Sequence, residues 1–125
     1  MHALHRTTAL GVVALAAVAL FGMSTPEKPA SEAAYLRELS RLHATDGARA
    51  LLYARQGDVW YSNTGTAAEA RKAMAITLLV DLGKIDQARR ETRAFIAAFP
   101  DSPYRPLVQG VTGIHPRPHG PQSTE

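Results

Sequence analysis

The pattern of apolar and polar positions divides the chain into an apolar N-terminal run, a central region of amphipathic stretches and an end rich in proline and glycine. In the central region, apolar side chains recur mostly at steps of three and four, which is the spacing of one face of an α-helix. The pattern predicts an all-α fold with helices over about residues 31–45, 48–61, 66–82 and 84–99.

Residues at the predicted helix ends have the chemistry of caps. Ser31 is the expected N-cap of the first helix, because its hydroxyl can accept a hydrogen bond from a free backbone N–H. Thr66 and Glu69 have the spacing of a capping box at the start of the third helix. Gly57 is expected to interrupt the second helix. Gly83 is expected to end the third, because glycine adopts the left-handed conformation of a C-cap without strain.

The third and fourth helices are joined by so short a turn at Gly83 that we expect them to pack as an antiparallel αα-hairpin. The residues expected to face inward on the third helix are Ala70, Ala73, Met74, Thr77, Leu78 and Val80 or Leu82. Those on the fourth are Ile85, Ala88, Thr92, Phe95, Ile96 and Phe99. The hairpin predicts that Phe95, Ile96 and Phe99 pack on Ala73, Met74 and Leu78.

One set of spacings resembles the second half of a tetratricopeptide repeat. It consists of Gly83, Ile85, Ala88, Phe95, Phe99 and Pro100. The ending "FIAAFPDSPYR" is similar to the repeat ending of Tol-Pal accessory and outer-membrane-assembly lipoproteins of the bacterial cell envelope. The resemblance covers residues 68–104 and implies short helical hairpins that bind protein partners. Whether residues 32–61 form a further, degenerate repeat stays open, because Ser62 stands where the pattern has alanine.

The N-terminal run indicates export. Residues 9–23 carry no charge, which is typical of the apolar region of a signal peptide and shorter than the roughly 20 residues that cross a bilayer. Residues 1–24 are therefore interpreted as a signal peptide or, if uncleaved, a membrane anchor, and residues 25–30 as a linker. The expected location is the periplasm, either free or anchored in the inner membrane and facing the periplasm.

Composition limits the function classes. A chain of 125 residues has room for one small domain, here residues 31–104, and the absence of cysteine excludes disulfides and thiolate metal sites. Beyond Ser24, thirteen Lys and Arg residues face eleven Asp and Glu residues, and the two signs alternate along the helices. This pattern gives no basic stripe for nucleic acid, so we expect no nucleic-acid binding.

Candidate catalytic groups are scattered. Asp81, Asp86 and Asp101 lie near helix ends, where capping explains them, and His43 stands alone on the first helix. No phosphate-binding glycine loop or nucleophile turn is present in the sequence. We therefore expect no enzyme activity and no cofactor.

The C-terminal segment, residues 105–125, is expected to be an irregular tail rich in proline and glycine. His115 and His119 are weak metal-ligand candidates, because the prolines between them prevent both from sharing a helical face. The tail is interpreted as a solvated extension or, alternatively, as a docking peptide.

Together these features predict an exported protein–protein interaction or assembly module of the bacterial envelope. The candidate partner-binding residues are Arg89, Arg90, Arg93, Leu36 and Leu79. One alternative is a membrane-anchored accessory subunit of a secretion or transfer complex, which would contact the membrane through its N-terminal segment. A second alternative is a small metal-handling protein that uses its histidine-containing tail.

Overall fold

A computed structural model describes residues 26–114 and contains five α-helices and no strand within that range. The helices are α1 (Glu32–Thr45), α2 (Gly47–Trp60), α3 (Thr66–Asp81), α4 (Ile85–Ala98) and α5 (Arg105–Thr112). The all-α prediction is confirmed for this part of the chain. The predictions for the signal peptide or anchor and for His115 and His119 fall outside the described residues.

Helix α3 is the central element, and each of the other four helices packs on it. Helices adjacent in the chain also pack on each other, whereas the backbones of α1 and α2 do not approach those of α4 or α5. Two hydrophobic clusters meet at α3. The first contains Tyr35, Leu39, Leu42, Ala50, Ala54, Ala75 and Leu78. The second contains Ala73, Ile76, Leu79, Ala88, Phe95 and Val108.

The position of α3 between the two clusters explains why it is buried on more than one side. A helix with apolar residues around most of its circumference is typical of a core element. Its buried residues are Ala68, Arg71, Ala73, Ala75, Ile76, Leu78 and Leu79. The single inward face predicted from the sequence is therefore wrong in part, because Ala70 and Thr77 are only half-buried and Leu82 is exposed.

The cap predictions are confirmed at two positions. The Ala34 backbone N–H donates a hydrogen bond to Ser31 Oγ, 3.1 Å away, at the start of α1. Gly83 follows α3 with φ of 78°. The capping box is wrong, because α3 begins at Thr66 itself and no side chain caps it.

The prediction that Gly57 interrupts the second helix is also wrong. Helix α2 continues to Trp60, and its buried face consists of Ala50, Ala54 and Gly57. Small residues on one face let neighbouring backbones approach closely, so this face is inward although it carries little hydrophobic bulk. Val59, which the hydrophobic pattern alone would place in the core, is 79% exposed.

Only some of the residue contacts predicted across the Gly83 turn are present in the structure. Phe95 and Ala73 belong to the same cluster, and Phe99 packs against its edge. Met74 and Leu78 instead pack in the first cluster. The reason is rotation around α3: residues one position apart along a helix point in directions about 100° apart.

Residues 105–112 form α5, so the prediction of an irregular tail is wrong for this segment. Pro106 lies in the first turn, where a missing N–H breaks no intrahelical hydrogen bond. Val108 and Thr112 are buried on one face, and Gly110 faces open space. Gly113, with φ of 72°, ends the helix.

Candidate functional site

An open groove of about 240 Å³ runs between α2 and α4, with α3 as its floor. Ala75 and Ile76 form the floor. The α4 wall is apolar and consists of Ala94, Phe95, Ala98 and Phe99. The remaining lining is polar and consists of Arg55, Asp58, Asn63, Lys72 and Glu91.

The groove exists because α2 and α4 both pack on α3 while their backbones stay apart. Ala94 and Ala98 lie one turn apart on the α4 wall and are exposed. Their side chains are too short to reach α2, so the space above the floor stays unfilled. The result is an apolar strip, edged by charges, that a further side chain or helix could cover.

One ion pair crosses the groove. The Arg55 guanidinium donates two hydrogen bonds to the Glu91 carboxylate, at 2.9 and 2.5 Å. Gln87 Nε2 donates a third to Glu91 Oε2 at 3.2 Å. Two parallel bonds from one guanidinium fix the orientation of a carboxylate. The pair therefore sets the spacing of α2 and α4 at this point.

Asp58 and Asn63, which line the groove, bind a buried arginine that the sequence pattern did not predict as a site residue. Arg71 is 1% exposed, and its Nε donates to Asp58 Oδ1 at 2.9 Å. Its Nη2 donates to the Ser62 carbonyl oxygen at 3.1 Å and to Asn63 Oδ1 at 2.9 Å. Lys72 Nζ lies 3.4 Å from the same Asp58 oxygen. These bonds tie α3 to the end of α2 and to the loop between them.

A signal for Arg71 was present in the sequence. Ala68, Arg71, Ala75 and Leu78 follow helical spacing on one face of α3, and three of the four are apolar. A basic residue within such a row requires acceptors. Within the described residues, Nη1 has no hydrogen-bond partner and lies 4.0 Å from Glu32 Oε2.

The structure does not bring the five predicted partner-binding residues together. Arg89, Arg90 and Arg93 are exposed on α4, and none of them lines the groove. Arg89 Nε donates to the Thr112 carbonyl oxygen at 3.1 Å, at the end of α5. Leu36 is half-buried against the first cluster. Leu79 is fully buried in the second cluster, so its prediction as a surface contact is wrong.

A second surface feature, the aromatic patch, is formed by Tyr53, Trp60 and Tyr61, which are all half-buried. The Trp60 ring centroid lies 5.9 Å from that of Tyr53 and 6.3 Å from that of Tyr61. Tyr35 is the buried base of the patch, stacked on Tyr53 at 4.8 Å between ring centroids. Its hydroxyl donates to the Tyr53 carbonyl oxygen at 2.9 Å.

Burial raises the pKa of the Tyr35 hydroxyl well above its usual range, and the nearby Arg71 guanidinium offsets only part of that effect. The pKa values of Tyr53 and Tyr61 are also raised by burial. These side chains are therefore neutral at physiological pH and act through hydrogen bonding and packing.

His43, placed alone by the sequence, has a partner in the structure. Its Nε2 lies 3.0 Å from Asp81 Oδ2, which joins the C-terminal ends of α1 and α3. Among the described residues, no three histidine, aspartate or glutamate side chains are grouped so that they could hold a metal ion. None of the five helices is both long enough and apolar enough to cross a membrane.

The described residues thus define an all-α domain with an open groove between its second and fourth helices. Comparisons of the chain with protein-family models, curated proteins and solved structures give no match. The likeness to tetratricopeptide proteins of the envelope therefore depends on the residues quoted for it.

Proposed function

We propose that this chain is an exported, tetratricopeptide-like protein-binding module of the bacterial envelope, and that the groove between α2 and α4 receives a segment of its partner. The single observation that carries the proposal is the apolar strip on α4. This strip stays open to solvent because the Ala94 and Ala98 side chains are too short to fill the groove. A contiguous exposed apolar surface with a polar edge is typical of an interaction site.

The packing order supports a repeat-like arrangement. Helix α3 contacts both α1 and α5, and each helix also contacts its neighbour in the chain. Stacked helical hairpins produce contacts of this kind, because each new unit packs only on the unit before it. The left-handed turn at Gly83 joins two of these helices with few intervening residues.

The shape of the groove favours a protein segment over a small molecule. Its volume of about 240 Å³ lies below the roughly 300–1,000 Å³ of typical small-molecule pockets. Small alanine side chains let a second helix approach closely, and a partner helix with an apolar row at three- and four-residue steps would match the strip. The groove's four charged side chains are paired with each other or with Arg71, so the apolar strip provides most of the affinity.

The test is site-specific photocrosslinking in the cells that make the chain. A photoreactive amino acid is placed at Ala98, inside the groove, and in a separate variant at Ala97. Both positions are exposed on α4, but only Ala98 lines the groove. We expect a discrete protein adduct from position 98 and none from position 97.

A second variant tests whether the adduct requires the apolar strip. Ala94→Arg places a charge in the groove without removing a core side chain, so the domain stays folded and the adduct at position 98 should be lost. Equal adducts at positions 97 and 98, or no adduct at either, would overturn the proposal.

A further inference from the structure

Trp60 and three of the four tyrosines of this chain are concentrated at one place, whereas Tyr104 packs against the second cluster. The chain has one tryptophan and four tyrosines, and Trp60 lies in contact with three of those tyrosines. Phe95 and Phe99, which lack a polar group, pack in the other cluster, around α4. Tyrosine and tryptophan combine an apolar ring with a hydrogen-bonding group, so a surface made of them suits a boundary between water and an apolar phase.

The aromatic patch is attached to the segment that leads from the N-terminal run. Lys28 Nζ lies 5.2 Å from the Tyr61 ring centroid, over the ring. The Tyr61 hydroxyl is 3.5 Å from the Pro29 carbonyl oxygen. No charged residue stands between Arg6 and Glu27, so Lys28 is only the second charge after the apolar run.

This attachment limits how far the patch can lie from a membrane. If the run is retained in a bilayer, it ends at Met23, five positions before Lys28. Consecutive Cα atoms are about 3.8 Å apart, so Lys28 lies within roughly 19 Å of the point where the chain leaves the apolar phase. This distance allows Tyr61, held against Lys28, to lie at the depth of the lipid headgroups.

We propose that the aromatic patch of Tyr53, Trp60 and Tyr61 packs on the headgroup region of the membrane that holds the N-terminal run. Tryptophan and tyrosine rings are enriched at this depth of the bilayer. Val59, beside Trp60 and 79% exposed, adds apolar surface on the same end of α2. The inference requires the anchored form of the chain and is independent of the groove.

The proposal defines an orientation for the domain. The start of α1 and the end of α2 face the membrane, because Pro29 and Tyr61 meet there. Helix α5 contacts α3 and α4 but neither α1 nor α2, so it lies away from the membrane.

Trp60 is the natural probe for the test, because it is the only tryptophan in the chain. The full-length chain is reconstituted in vesicles of three parts phosphatidylcholine to one part phosphatidylglycerol, with or without phosphatidylcholine brominated near the headgroup. We expect the protein to float with the vesicles. We also expect the Trp60 emission to lie at shorter wavelength than in the same domain in buffer without vesicles or detergent. We also expect brominated lipid to remove a large part of the emission intensity.

The matched control moves the probe to the other end of the domain. The Trp60→Phe, Leu107→Trp double variant carries its only tryptophan on α5, at a position that is 46% exposed. We expect this variant to float equally well and to keep its intensity with brominated lipid. Equal quenching in both proteins would overturn the orientation and with it the proposal.

Two other outcomes also overturn the inference. A shift of Trp60 emission without quenching would mean that protein, such as a second copy, covers the patch. A chain that does not float with vesicles would overturn the anchored form as well as the inference. Neither result bears on the crosslink at Ala98, so failure of this inference is distinguishable from failure of the proposed function.

Discussion

Gly57 of α2 lies directly against Tyr35 of α1, so that a Cβ atom at position 57 would overlap the Tyr35 hydroxyl oxygen. The same Cβ would also meet the Arg71 side chain from α3. Tyr35 and Arg71 are each almost fully buried, so neither has free space into which to move. One glycine therefore permits the closest approach of three helices.

We predict that Gly57→Ala destabilises the domain by about 3 kcal/mol, at the upper end of the usual range for an overpacked core. Gly83→Ala should cost about 1–2 kcal/mol, because only the left-handed backbone is strained and nothing crowds its Cβ. Urea unfolding midpoints of both variants test the order. If Gly57 instead interrupted a helix, Gly57→Ala would be expected to cost less stability than Gly83→Ala.

Tyr35→Phe provides the control for Gly57. It removes the atom closest to the new Cβ, so Gly57→Ala should cost less in that background than in the wild type. An equal cost in both backgrounds would contradict the close contact.

Phe95→Ala should destabilise the domain by about 3–5 kcal/mol, because Phe95 is 3% exposed and its loss leaves a cavity between α3, α4 and α5. Phe99→Ala should cost only about 1–2 kcal/mol, because Phe99 packs at the edge of the cluster and lines the open groove. Urea denaturation followed by circular dichroism measures both. Equal costs would mean that Phe95 is not the buried member of the pair.

Asp58 and Glu91 each pair with an arginine, but in different surroundings. Arg71, the partner of Asp58, has a side chain 1% exposed, whereas Arg55, the partner of Glu91, is 38% exposed. Asp58→Ala should cost about 3 kcal/mol, because it leaves a buried charge short of an acceptor. Glu91→Ala should cost about 0–1 kcal/mol, because water replaces the lost partner. Unfolding free energies of the two variants make the comparison.

A double variant separates the charge from the packing. Arg71→Met in the Asp58→Ala background removes the buried charge and keeps an unbranched side chain. The double variant should therefore be more stable than Asp58→Ala alone. If it is less stable, the cost of Asp58→Ala does not come from an unpaired arginine.

The stability of the domain should fall at alkaline pH because of Tyr35. Burial holds the pKa of Tyr35 above that of a tyrosine in the unfolded chain, which is about 10. The folded state therefore keeps the proton while the unfolded state releases it. The stabilisation from the raised pKa is fully present below pH 10 and is lost as pH rises above it.

The measurement compares wild type with Tyr35→Phe in urea at about pH 8 and pH 11. At the lower pH the variant should be less stable by about 1 kcal/mol, because the hydrogen bond to the Tyr53 carbonyl is lost. At the higher pH this difference should shrink or reverse, since the variant has no hydroxyl to ionise at position 35. Tyr53 and Tyr61 are present in both proteins, so their titration largely cancels in the difference. A constant difference across this range would contradict the prediction.

Local chemistry was sufficient for several features. Ser31 caps α1, Gly83 takes the left-handed conformation after α3, and Ala88, Thr92 and Phe95 form the buried face of α4. A cap involves residues three positions apart, a turn depends on one backbone conformation, and an amphipathic face follows from a fixed rotation per residue. None of these needs knowledge of a distant part of the chain.

The remaining features were decided by contacts between helices. Gly57 stays helical because α1 and α3 pack against it, and Leu79 is buried because α4 and α5 cover a second side of α3. Residues 105–112 form a helix because Val108 packs in the second cluster, on that same surface. A single helical pattern shows which residues share a face, but the number of neighbours that cover the helix depends on the whole fold. The sequence by itself therefore determined the helical class and the local turns, whereas only the tertiary structure decided the two-sided burial of α3, the buried Arg71 and the groove that the helices leave open.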